Sequence, residues 1–214
     1  MKMTTVQVRR KPRQSRAKMT QDALIESFVQ LLAEQPADRI TIREITEIAG
    51  VGLGTFYEYF AQKQDLIALT IHQYVKQSAI ALHSYAQSYI ELSTDVDIFT
   101  YLSSLIHFQI KHIQRQQPIW AQIFLLERQV SSPKAYRKHY QLMLELWNTL
   151  LMPFVNDLKA RADFALNIQR ISYGFISQSL LIQPDFKAWD SLEQDILKSL
   201  TSFIEAFSCS KAKQ

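Results

Sequence analysis

The sequence predicts an all-α protein of about nine helices, in which a three-helix N-terminal helix-turn-helix precedes a larger helical domain. Three observations predict it. Glycine is scarce, 4 in 214 residues, and turn dipeptides are few, which disfavours a sheet protein with its many tight turns. Apolar residues recur at three- and four-residue steps between proline and capping residues, the period of a helix with one buried face. The stretch Thr41–Lys63, TIREITEIAGVGLGTFYEYFAQK, reads as two short helices about a glycine-bearing turn, then the start of a third. The expected division is a basic arm over 1–18, a helix-turn-helix domain over 19–64 and a helical domain over 65–214.

The first helix is expected over Thr20–Gln35, with Leu24, Phe28, Leu31 and Leu32 on one face. Pro36 stops it, because proline lacks an N–H and crowds the preceding turn. Thr41 and Glu44 stand in the T-x-x-E relation of a capping box, and Ile42, Ile45 and Ile48 give the second helix its apolar face. Gly50 falls where a helix ends on a left-handed residue. The third helix, about Leu53–Tyr59, follows Gly52, and Phe56 and Phe60 share its inward side. Lys63 opens a long fourth helix reaching about Ala86, with Asp65 well placed in its first turn.

Asp95 or Asp97 starts a fifth helix, whose main face carries Ile98, Leu102, Leu105, Ile106, Gln109 and Ile113. Pro118 marks a short sixth, holding Trp120, Ile123 and Phe124. Ser132 and Pro133 are an N-cap followed by proline at the first helical position. That seventh helix is expected through Tyr136, Tyr140, Met143, Trp147 and Leu151 to Phe154, bending at Pro153. An eighth spans about Ala162–Leu181. Asp190 with Glu193 reads as a capping box opening a ninth, with Leu192, Ile196, Leu200, Phe203 and Phe207.

A helix-turn-helix lays its last helix in the major groove of DNA. Thr55 and Tyr57 are the candidates for base edges or thymine methyls. Thr41 and Arg43, at the start of the second helix, are candidates for phosphate, and Tyr59 and Lys63 for the DNA backbone. Residues 1–18 hold Lys2, Arg9, Arg10, Lys11, Arg13, Arg16 and Lys18 and no acid, while the whole chain is only +4. A basic, proline-containing arm beside such a head tracks phosphates or enters the minor groove, with Arg9, Arg10 and Arg13 as its candidate contacts.

The runs TQDALIESFVQLLAEQ, TIREITEIAGV and GTFYEYFAQKQDL together resemble the DNA-binding domain of the TetR/AcrR family of transcriptional regulators, over residues 20–67. The resemblance implies a recognition helix followed by a long fourth helix that links to a ligand-binding domain. It also implies that the last two helices pair with their symmetry mates in a four-helix bundle, and that the protein is a repressor. Two residues depart from the family pattern. Gly52 stands where Ser or Thr is common, and Glu58 puts a negative charge on a helix meant for DNA.

The residues carry two of these expectations independently. Phe164, Ile168, Ile171 and Phe175 stripe the eighth helix, and Leu166, Tyr173, Leu180 and Leu181 lie off that stripe. An apolar arc that wide suggests a second buried surface. A two-fold homodimer also reads two half-sites, which suits a palindromic operator. The middle helices combine large aromatics with sparse polar groups, the mixture of an apolar pocket. Tyr101, Phe108 and His112 share one side of the fifth helix, and Trp120, Phe124, Tyr140, Trp147 and Tyr173 complete the candidate effector set. Taken singly, each fits a core; the set points to a small apolar or aromatic effector.

The remaining classes find little in the chain. There is no glycine-rich phosphate loop and no G-x-S-x-G elbow. His107 and His112 are five apart, off a common helix face, and no partner completes a metal set. No enzyme, cofactor or metal is therefore expected; the alternative is a helical enzyme or carrier without specific DNA binding. No apolar run nears the ~20 residues of a membrane span, and no apolar region follows the N-terminal charges as in a secretory leader. The single Cys209 forms no intrachain disulfide, and a reducing, cytoplasmic setting is expected.

Overall fold

The structure is a computed structural model that describes the backbone of residues 15–93 and 95–211. Its regular elements are α1 (Ser15–Glu34), α2 (Ile42–Ile48), α3 (Leu53–Tyr59), α4 (Lys63–Leu92), α5 (Ile98–Gln114), α6 (Gln117–Val130), α7 (Pro133–Leu150), α8 (Leu158–Ile182) and α9 (Trp189–Lys211). The all-α expectation and the element order stand. None of these helices, among the described residues, is long and apolar enough to cross a membrane.

The chain forms two compact units. One takes in the described residues of 1–74 together with 118–136; the other takes in 75–117 and 137–214. The unit holding the helix-turn-helix thus extends past residue 64 and includes most of α6.

In the first unit α1 packs on α2 and α2 on α3. Its core is Leu24, Phe28, Leu32, Ile40, Ile45, Phe56, Phe60, Leu66 and Ile71, all essentially sealed from solvent. The α2–α3 turn is built as the sequence predicts. Thr41 caps α2: its hydroxyl accepts from the Glu44 amide at 3.2 Å, and the Glu44 carboxylate accepts from the Thr41 amide at 2.7 Å. At the other end Gly50 takes φ 65°. Val51 N–H donates to the Thr46 carbonyl (3.0 Å) and Gly50 N–H to that of Glu47 (3.2 Å), the paired bonds of a Schellman motif. Gly52 precedes α3 in an extended conformation and supplies no side-chain cap.

In the second unit α9 packs against both α5 and α8. Its core includes Tyr101, Leu105, Ile106, Ile110, Trp147, Leu151, Phe164, Ile168, Leu180, Ile196 and Leu200. Asp97, the second of the two expected starts, caps α5 by accepting from the amides of Phe99 and Thr100. Asp157 caps α8 by accepting from the Ala160 amide at 2.7 Å. Ser132 caps α7 as expected: its hydroxyl accepts from the Ala135 amide at 3.2 Å.

Several boundaries differ from the sequence reading, each for a local reason. α7 ends at Leu150 instead of bending through Pro153, so Phe154 lies in the following turn. Proline cannot donate in the ladder and disfavours helix just before it. The buried Arg161 holds this turn, donating to Asn148 Oδ1 (3.1 Å) and to the Val155 carbonyl (3.2 Å). α9 starts one residue before Asp190, so Asp190 and Glu193 lie inside the helix and are not its capping box. Gln117 organises that entry instead. Its amide donates to the carbonyls of Pro184 (2.9 Å) and Phe186 (3.0 Å), and its oxygen accepts from the Trp189 indole at 3.1 Å. α1 begins at Ser15, earlier than Thr20, and α4 runs on to Leu92.

Candidate nucleic-acid interface and aromatic core

At 100° per residue, α3 divides into two arcs. Phe56 and Tyr59 fall on one, with Phe60 just beyond the helix end, and all three are buried. Leu53, Gly54, Tyr57 and Glu58 fall on the other, an arc of about 140°, and all four are exposed. Leu53 is 48% and Tyr57 43% accessible. Thr55 sits half-buried at the border. The Tyr57 ring meets the buried Phe56 ring edge-on at 5.4 Å and 82°, which orients it from below.

The sequence-predicted DNA contacts sort accordingly. Arg9, Arg10 and Arg13 lie outside the described residues. Tyr57 and Arg43 are exposed. Tyr59 is only 4% accessible; its position three residues after Phe56 puts it on the core arc, so it packs the domain and does not reach out to a DNA backbone. Lys63 also turns inward: its Nζ donates to the carbonyls of Ile40 (2.6 Å) and Ala37 (2.8 Å). Two of its three N–H donors are thus engaged with the protein, which gives Lys63 a structural role beside the phosphate contact expected for it.

Thr41 is exposed, yet its amide and hydroxyl both donate to Glu44 Oε2 at 2.7 Å. The Thr41 hydroxyl, then the Thr41 amide, then Gln35 hold the Glu44 carboxyl below its ordinary range. Leu53 is the residue the sequence reading passed over; four residues before Tyr57, it shares the exposed side, and helical spacing alone identifies it.

The candidate effector residues are also split. Trp120 and Phe124 belong to the first unit, their rings tilted by 36° at 5.5 Å, with Tyr74 edge-on to Trp120 at 5.7 Å. In the second unit the near-parallel Phe108 and His112 rings lie 6.0 Å apart, and Tyr85 from α4 stacks on Phe108 at 4.3 Å and 14°. The Tyr85 and Ser104 hydroxyls share a 2.6 Å hydrogen bond. Tyr101 joins the same run of rings through Tyr89 (6.1 Å) and meets Phe154 at 4.8 Å.

Tyr85, Tyr89 and Phe154 were missed because they lie on other elements, out of register with the α5 face. Burial pushes the Tyr101 phenol up to about 12. Burial first, and the Arg115 charge second, hold the His112 imidazole below its ordinary value. Trp147 is fully buried and its indole donates to Gln169 at 3.2 Å, a satisfied core pair. Tyr140 and Tyr173 are half-buried.

A box-capped helix, a Schellman turn and a second helix with one buried and one exposed arc define a helix-turn-helix DNA-binding protein. Residues 24–69 match the family model described as bacterial regulatory proteins, tetR family. The chain is 23% identical over 167 residues to the HTH-type transcriptional regulator YvdT of Bacillus subtilis, covering 78% of this chain and 76% of that one. A TetR-family regulator from Mesorhizobium loti superposes with TM-score 0.72 at 14% identity, covering 90% of this chain and 98% of that one. The regulator FadR of Bacillus subtilis, solved with stearoyl-CoA, gives 0.64 at 15%, covering 85% and 98%. Residues 24–69 are thus a TetR-family DNA-binding domain, and the chain shares the fold of TetR-family regulators.

Proposed function

We propose that the protein is a homodimeric repressor whose two α3 helices read a palindromic operator and which a small apolar or aromatic effector releases. The exposed arc of α3 carries this reading: Leu53, Tyr57 and Glu58 are held out by a turn in which both ends of α2 are capped. The basic residues of 1–18, Arg9, Arg10 and Arg13 among them, supply phosphate contacts, and Arg43 adds a cation at the start of α2.

Dimerisation is supported by α8. Ile171, Phe175 and Ile182, at steps of four and seven, lie along the edge of its buried face. Phe175 is 37% and Ile182 81% accessible. This flank suits a symmetry mate, which would set the two reading heads about 34–36 Å apart. The effector class rests on the run of rings from His112 to Phe154, and FadR of Bacillus subtilis, similar in fold, was solved in complex with stearoyl-CoA, which supports it. Effector and operator must then weaken each other's binding reciprocally, since a ligand shifts a conformational balance only by its differential affinity.

Selection from random DNA with the purified protein tests the reading, with light scattering for mass. A palindrome bound by a dimer is expected, and deletion of residues 1–14 should weaken binding and flatten its salt dependence. A monomer, or no sequence preference at physiological salt, overturns it.

A further inference from the structure

The exposed arc of α3 has an unusual chemistry for a surface that reads bases. Guanine and adenine are usually distinguished by bidentate contacts from Arg, Lys, Asn or Gln. Residues 52–60, GLGTFYEYF, contain none of these. What they expose instead is Leu53 and Tyr57, one helical turn apart, with Gly54 and the acidic Glu58 beside them. An added Cβ at Gly54 would meet nothing within 4 Å, so among the described residues nothing beyond its chain neighbours covers that spot.

The major groove offers one apolar feature that separates the bases, the 5-methyl group of thymine. A leucine and an aromatic ring on one side of a helix, separated by one turn (~5.4 Å), span about a base step and a half at roughly 3.4 Å per step. Tyr57 is oriented by its edge-on contact with Phe56, so its contact costs little side-chain entropy.

We propose that Leu53 and Tyr57 are the specificity-determining residues and that they read neighbouring thymine methyls in each half-site. This rests on the DNA-binding reading above and names the feature of the operator it depends on. Each methyl removed from such a contact should weaken binding about fourfold, the equivalent of roughly 0.8 kcal/mol per buried methyl-sized group.

The test uses the full chain and its selected operator, with deoxyuridine replacing thymidine one position at a time. Deoxyuridine keeps every hydrogen-bonding group and lacks only the methyl. The expected result is a loss of about fourfold at one or two adjacent positions per half-site and none elsewhere. L53A should show the same loss on the thymidine operator and no further loss at one of those positions, because the partner is already gone. Leu53 is exposed, so L53A is expected to fold; L53Q, which gains an adenine reader, should shift the selected base at that position. An operator that tolerates deoxyuridine throughout, or an L53A variant with unchanged preference, overturns the inference while leaving the regulator intact. Absence of any selected sequence overturns both.

Discussion

Lys63 Nζ donates to the Ile40 carbonyl at 2.6 Å, tying the first residue of α4 to the turn that precedes α2. A second bond reaches the Ala37 carbonyl at 2.8 Å, so one ammonium satisfies two oxygens of the 36–41 turn. Hydrogen bonds to a charged donor are stronger than neutral ones, and their loss strands the acceptors. Lys63→Met is therefore expected to destabilise the protein by about 1–2 kcal/mol, seen as a lower Tm. The slope of log Kd against log salt for operator DNA should not change. A slope lowered by about one unit, with unchanged Tm, would make Lys63 a phosphate contact instead.

The capping box gives the reading head a pH dependence. The Glu44 carboxyl is held below its ordinary 4.5, chiefly by the Thr41 hydroxyl. The folded state thus prefers the carboxylate, and its contribution is complete above the unfolded value. It is lost as pH falls from about 4.5 through the lower folded value. Glu44→Gln should be less stable than the parent at pH 7 and should lose less on acidification. Parallel curves of denaturation midpoint against pH would refute the assignment.

The local elements were legible where a single residue type has a single physical use. Gly50 at a left-handed C-cap, Thr41 with Glu44, and Ser132 before Pro133 each name their own position. Directions around a helix were less legible. Tyr59 and Tyr57 differ by two residues, yet one is core and the other surface, because α3 turns through about 200° between them. Lys63 reads as a surface cation from its type, and only the fold shows the two carbonyls it serves. The aromatic core was the least legible: Phe108 stacks on Tyr85, twenty-three positions earlier on α4. No spacing rule connects two helices in different registers.

Gly54 separates stability from function. It lies within α3 in ordinary helical space, and its added methyl meets no neighbour. Gly54→Ala should stabilise the protein by about 0.5–1 kcal/mol, because alanine loses less backbone freedom on folding. The same methyl would stand on the exposed arc proposed to enter the groove, so operator affinity should fall several-fold while Tm rises. Affinity unchanged at higher Tm would mean that the helix backbone does not approach the groove closely at this point.

His112 gives the aromatic core a second titration, again costing stability on acidification, in which the folded state favours the neutral form. Its ring lies 6.0 Å from that of Phe108 at 17°, half-buried, with burial and then Arg115 holding its imidazole below the ordinary 6.5. The folded protein favours the neutral ring. As pH falls past 6.5 the unfolded chain takes a proton that the folded one resists, and stability is lost until pH drops below the folded value. His112→Phe keeps a ring on Phe108 and removes the proton. Its urea midpoint should stay level across that window while the parent's declines, with the two curves parallel above pH 7.5. Equal decline in both proteins would mean that the folded ring accepts its proton as readily as the unfolded chain does, leaving burial without the effect assigned to it.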